Sequence, residues 1–145
     1  MGSDTQTYCW GAGSSSQLGN GGTADQLRPV AVAAPAGVRF TQLTAGNNHT
    51  CGLGSDTRTY CWGWGPDGQL GNGTVDESTT PVPVKAPNGV SFTQLTAGEG
   101  HTCGLGNDTR TYCWGWGADG QLGNGGTANR SSPVAVSPLP PLTGP

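Results

Sequence analysis

Residues Phe40 to Gly73 read FTQLTAGNNHTCGLGSDTRTYCWGWGPDGQLGNG, and residues Phe92 to Gly125 read FTQLTAGEGHTCGLGNDTRTYCWGWGADGQLGNG. The two stretches lie 52 residues apart and differ at four of 34 positions: Asn47/Glu99, Asn48/Gly100, Ser55/Asn107 and Pro66/Ala118. The spacing continues outward, because Tyr8-Cys9-Trp10-Gly11 recurs at Tyr60-Cys61-Trp62-Gly63 and at Tyr112-Cys113-Trp114-Gly115. An unbroken period of this length marks one supersecondary unit that stacks on copies of itself to bury an apolar face. Composition taken alone points elsewhere: Leu, Val and Phe make up about 14 % of the 145 residues, with 27 Gly and 11 Pro, values that border on disorder. The formal net charge of only −3 and the fixed intervals of the glycines overturn that reading.

Within each unit, β-branched and aromatic residues come in bursts bounded by Gly, Asn, Asp and Pro, which predicts four short strands and no helix. The first is Phe40–Thr44, in which Val38, Phe40 and Leu43 do not alternate, so its buried face is not set by pattern. The second is His49–Leu53 and the third Thr59–Trp64, joined by the turn Gly54-Ser55-Asp56-Thr57-Arg58. The fourth, Pro81–Val84, carries prolines that cannot donate to a ladder and belongs at a sheet edge.

The stretches YCWGWG..GQLGNG, PV.V, FTQLTAG and HTCGL resemble the repeat of the regulator-of-chromosome-condensation family, over residues 8 to about 136. The resemblance implies an all-β propeller, usually of seven blades, each a four-stranded antiparallel sheet with FTQLTAG innermost and PV.V outermost. Strands counted from the amino end run third, fourth, then two complete sets, which is two full blades plus a half blade and an incomplete ring. The expected organisation is propeller repeats over residues 1–137, starting mid-blade, and a Pro-rich tail or linker over 138–145.

A hairpin centred on Asp56 opposes Leu53 to Thr59, Gly52 to Tyr60 and Cys51 to Cys61, and one centred on Asp108 opposes Cys103 to Cys113. Directly opposed positions bring Cβ atoms within roughly 4.5–5.5 Å, near disulfide reach. Disulfides are therefore favoured over buried thiols and over a metal site, for which the closely spaced ligand pairs are lacking. Paired cysteines point to an oxidising compartment, outside the cell or at its surface. Cys9 is left over, unpaired or bonded to another chain.

Six Lys/Arg spread along the chain make no basic face for nucleic acid. No apolar run approaches the ~20 residues of a membrane helix. His49 and His101 stand alone at the same repeat position without a nucleophile or a paired carboxylate, so no catalytic residue, metal ligand or cofactor is assigned. Each is expected to satisfy turn backbone, and Asp67 and Asp119 to bond their own Asp-Gly turns. Trp10, Trp62 and Trp114 are expected in the core. Strict alternation from Trp62 would put Trp64 on the same sheet face, with Trp116 likewise, as packing or rim contact. Asn47, Asn48 and Glu99 vary at a turn of a fixed scaffold, so together with Trp64 and Trp116 they are the candidate binding residues.

The reading these observations favour is a noncatalytic segment for protein–protein interaction or structural self-assembly outside the cytoplasm, homo-oligomeric or part of a longer propeller. The alternatives are a secreted enzyme inhibitor like the propeller-type β-lactamase inhibitory proteins, and a lectin-like sugar binder. A guanine-nucleotide exchange factor, as the family's founding member is, ranks last. The uncovered half blade, Tyr8 to Val32, is expected to expose Trp10, Leu18 and Val30.

Overall fold

A computed structural model describes residues 5–140. Its elements are ten strands: β1 (Tyr8–Gly11), β2 (Gln26–Ala31), β3 (Phe40–Ala45), β4 (His49–Gly54), β5 (Thr59–Gly63), β6 (Ser78–Pro83), β7 (Phe92–Ala97), β8 (His101–Gly106), β9 (Thr111–Gly115) and β10 (Arg130–Ala135). They form a two-stranded sheet β1-β2 and two four-stranded sheets, β3-β4-β5-β6 and β7-β8-β9-β10, all antiparallel. This is the expected half blade followed by two complete blades, with the Pro-bearing strands outermost. Of the expected tail 138–145, residues 141–145 lie outside the described residues.

The turn chemistry shows why these hairpins form. Asp56 Oδ1 accepts from the Arg58 N–H at 3.1 Å while Tyr60 Oη donates to Asp56 Oδ2 at 2.6 Å, and Thr57 takes the left-handed conformation with φ 70°. Asp108, Arg110, Tyr112 and Thr109 repeat the arrangement. One aspartate thus closes the turn and ties it to the third strand, which sets the register. The missing alternation of the first strand has its cause in a bulge: Phe40 pairs with Gly54 but Gln42 with Leu53. The extra residue turns Phe40 into the core; Leu43 stands 38 % exposed, whereas Leu95 behind the same bulge is buried because β7 packs against β3 and β4.

The core sits between successive blades. Trp62 and Trp114 are fully buried, each on the phenylalanine of its own first strand, at ring centroid distances of 5.3 Å to Phe40 and 5.4 Å to Phe92. Each indole N–H donates across the interface at 3.0 Å, Trp62 to the Gln17 carbonyl and Trp114 to the Gln69 carbonyl. The GQLGNG segment of one blade is therefore a lid on the tryptophan of the next. Its second glycine is forced: Gly71 has φ +67°, and a Cβ there would fall 2.6 Å from Trp114 Nε1. Leu70 and Leu122 plug their segments into the interior, both fully buried. The equivalent Leu18 is 3 % exposed, which corrects the expectation that it would lie open. The cause is that its loop already covers the first complete blade. Val30 is half-buried and Trp10 is 63 % exposed.

Candidate functional site

The turns between first and second strands lie side by side in adjacent blades, bridged where the Asn47 N–H donates to the Glu99 carbonyl at 3.1 Å. The third strand of each blade ends on a left-handed glycine, Gly63 with φ +106° and Gly115 with φ +104°. The chain there turns back so that Trp64 N–H donates to the Asn48 carbonyl and Trp116 N–H to the Gly100 carbonyl. Alternation stops at those glycines. Trp64 and Trp116 consequently do not share the core face of Trp62 and Trp114, contrary to the period-two expectation, and stand 39 % and 38 % exposed.

The result is one cleft of about 430 Å³ lined by all five candidate binding residues, Asn47, Asn48, Trp64, Glu99 and Trp116, together with Asp67 and Asp119. Three acidic residues, Asp67, Glu99 and Asp119, line it, and none of its lining residues is Lys or Arg. His101 also lines it, and burial lowers its pKa from 6.5, so its imidazole is uncharged at neutral pH. The expected Asp self-capping does not occur at these turns: Gln69 Oε1 accepts the Asp67 N–H at 2.9 Å and Gln121 Oε1 the Asp119 N–H at 2.8 Å. Asp119 Oδ2 accepts instead from Trp116 Nε1 at 3.5 Å. Gln69 is 2 % exposed yet lines the cleft, a position hidden in the sequence inside the QLGNG segment that recurs in all three copies. Aromatic faces, amides, carboxylates and a neutral imidazole are groups for holding a cation or a hydroxyl-bearing ligand.

The remaining assigned residues lie elsewhere. Cys51 and Cys61 stand opposed in β4 and β5 with Cα atoms 4.0 Å apart and sulfurs at bonding distance, as do Cys103 and Cys113 in β8 and β9 at 4.1 Å. Cys9 is a free, half-buried thiol in β1, its pKa raised by burial. His49 does not satisfy turn backbone as expected. Its Nε2 lies 2.8 Å from Thr102 Oγ1 in the next blade, and its buried Nδ1 has no partner. Thr102 Oγ1 donates to the Gln69 carbonyl at 3.4 Å, which assigns the proton of that bond to His49 Nε2. Desolvation first, and the charge of His101 second, lower the His49 pKa from 6.5 to about 4.

Comparison with known proteins matches this architecture. The family model described as the regulator of chromosome condensation (RCC1) repeat covers residues 4–53, 56–105 and 108–143. The ultraviolet-B receptor UVR8 of Arabidopsis thaliana is 33 % identical over 135 residues, which are 93 % of this chain and 31 % of the receptor. Among solved structures, human WBSCR16 superposes with a TM-score of 0.81 at 21 % identity over 94 % of this chain and 36 % of its own. Prp20p of Saccharomyces cerevisiae superposes with a TM-score of 0.74 at 25 % identity over 94 % and 35 %. The chain thus spans about a third of the length of these relatives. Three in-phase repeat matches on two complete four-stranded blades and a half blade establish that the chain belongs to the regulator of chromosome condensation repeat family of β-propellers.

Proposed function

We propose that this chain is a noncatalytic recognition segment that works outside the cytoplasm and grips a cationic side chain of a protein partner in the cleft between its two complete blades. The convergence of Trp64 and Trp116 with three carboxylates and no basic residue carries the reading. Arg or Lys stacked on an exposed indole and paired with a carboxylate is the ligand chemistry this combination favours. The repeat positions that differ between otherwise matching units, Asn47/Glu99 and Asn48/Gly100, fall at this cleft, where specificity would be tuned. Protein as the ligand class also draws support from a structural relative, since Prp20p has been described with its binding to Gsp1p and histones. An oxidising location is supported by the two opposed cysteine pairs.

Tryptophan fluorescence titrated with a short arginine-containing peptide tests the cleft. Binding should weaken about three- to thirtyfold on Trp116→Ala, as expected for loss of one cation–π contact, and should fall with added salt. Tight binding of a neutral oligosaccharide with no response to the peptide would replace this reading with a sugar-binding one. Accelerated nucleotide release from a small GTPase would overturn the noncatalytic role.

A further inference from the structure

At the opposite end of the strands from the acidic cleft, residues 84–91 lead from β6 to β7. This connection is tied down along its length. Val84 N–H donates to the Thr59 carbonyl and Lys85 N–H to the Gly71 carbonyl, both at 2.8 Å. Val90 N–H closes a turn on the Pro87 carbonyl at 3.0 Å, and Ser91 N–H donates to Asn107 Oδ1 at 3.0 Å. Between the connection and the start of β5 lies a preformed pocket of about 370 Å³. Arg58 and Lys85 line it and are exposed, at its mouth, whereas Thr59 and Phe92 are buried, at its floor. None of its lining residues is Asp or Glu.

Turn chemistry accounts for this separation of charge. Successive residues of a strand point to opposite sides of the sheet, so Thr59 and Tyr60 face different blades. The hydrogen bond from Tyr60 Oη to Asp56 Oδ2 holds that carboxylate on the Tyr60 side, and Asp56 Oδ1 accepts from Arg58 N–H. Asp56 is accordingly not among the residues that line the pocket, although it stands two positions from Arg58.

The floor holds an unmet polar group. Thr59 is 5 % exposed, and its buried Oγ1 has no hydrogen-bond partner among the described residues. One repeat earlier, Thr7 Oγ1 is buried without a partner in the same way, and Thr7 lines the corresponding pocket before β3. Gln6 and Ala33 stand there in place of Arg58 and Lys85, so two cations and the hydroxyl come together at the junction of the two complete blades. An unpaired buried hydroxyl destabilises a fold, and its recurrence in a pocket points to an acceptor supplied from outside the chain.

We propose that this pocket binds a carboxylate ligand that carries a second oxygen a few atoms away. Arg58 and Lys85 hold the carboxylate at the mouth, and the carbon body lies on Pro87, Val90 and Phe92. Thr59 turns about χ1 to donate its hydroxyl to the second oxygen. A compact inorganic anion meets the two cations but brings neither the carbon body nor the second oxygen.

The test titrates the full chain with succinate and with acetyl-glutamate amide at constant ionic strength, followed by the amide NMR signals of Thr59, Asn88 and Gly89. Saturable shifts at this pocket are expected, with affinity at least about fivefold above that for acetate or inorganic phosphate. Whichever probe binds more tightly distinguishes a free diacid from an acidic side chain of a protein. Thr59→Val should weaken binding about three- to tenfold through loss of one hydrogen bond. The same variant without ligand should keep or raise its Tm, because it removes an unpaired hydroxyl. Arg58→Gln and Lys85→Gln should each weaken binding about threefold or more. Absence of a saturable shift with either probe, unchanged affinity in Thr59→Val, a lower Tm of that variant, or phosphate binding as tight as that of succinate would overturn the proposal.

Discussion

At the scale of single residues, His49 carries a pH dependence whose sign follows from its burial. Its pKa in the folded chain is about 4 against 6.5 unfolded, so below pH 6.5 the unfolded state takes up a proton that the folded state refuses. The stability it contributes is complete above pH 6.5 and is lost as pH falls towards 4, by up to about 3 kcal/mol. Thermal unfolding of the wild-type chain and of His49→Gln at pH 7 and pH 4.5 measures this. The wild type should lose more between the two values, because the amide keeps a donor near Thr102 without a titrating group. Gly71 gives a second residue-scale expectation. Gly71→Ala should cost about 1–3 kcal/mol from the collision with Trp114 beyond any backbone strain, whereas Gly73→Ala, with φ +86° but only Lys85 Cδ at 3.5 Å, should cost about 1 kcal/mol from strain alone. Denaturant midpoints of the two variants separate packing from backbone. The identity of the cleft residues was legible, since Asn47, Asn48 and Glu99 stood out as variable within a repeat. The reason Trp64 joins them was not, because a left-handed Gly63 interrupts alternation in a way no hydropathy period encodes.

At the scale of elements, the hairpin register was readable to the residue: Cys51 faces Cys61, Gly52 faces Tyr60 and Leu53 faces Thr59 in β4 and β5. A short turn centred on an aspartate admits one antiparallel register, so local sequence suffices. The two cysteine pairs then differ through their neighbours. Cys51 and Cys61 are both fully buried, Cys51 beneath Thr102 of the following blade, while Cys103 is only half-buried. Reductant should therefore reach Cys103–Cys113 first, and alkylation during graded dithiothreitol treatment should label that pair before Cys51 and Cys61. Removing either bond should lower stability by about 2–3 kcal/mol, from loop closure over ten residues. The Phe40 bulge escaped the sequence, because an extra residue in a ladder is fixed by what the sheet packs against.

At the scale of the whole molecule, stability is shared between neighbours along the stack, as in other repeat architectures. Among the described residues the first sheet has two strands where the others have four, so it should open most readily. Native-state hydrogen exchange should find the amides of β1 at Cys9 and Trp10 less protected than those of β5 at Cys61 and Trp62 or β9 at Cys113 and Trp114. Equal protection in the three strands would mean that the half blade is stable without inner strands. What the sequence determined by itself was the part of each repeat set by its turns: strand number, hairpin register, the opposition of the cysteines and the all-β class, because those depend on contacts a few residues apart. The tertiary structure alone decided what arises between repeats. His49 bonds to Thr102, Gln17 and Gln69 cap the tryptophans of the next blade, and two loops 52 residues apart enclose one acidic, aromatic cleft. Those contacts depend on how one sheet stacks on the next, and stacking geometry is a property of two packed surfaces that no single repeat carries.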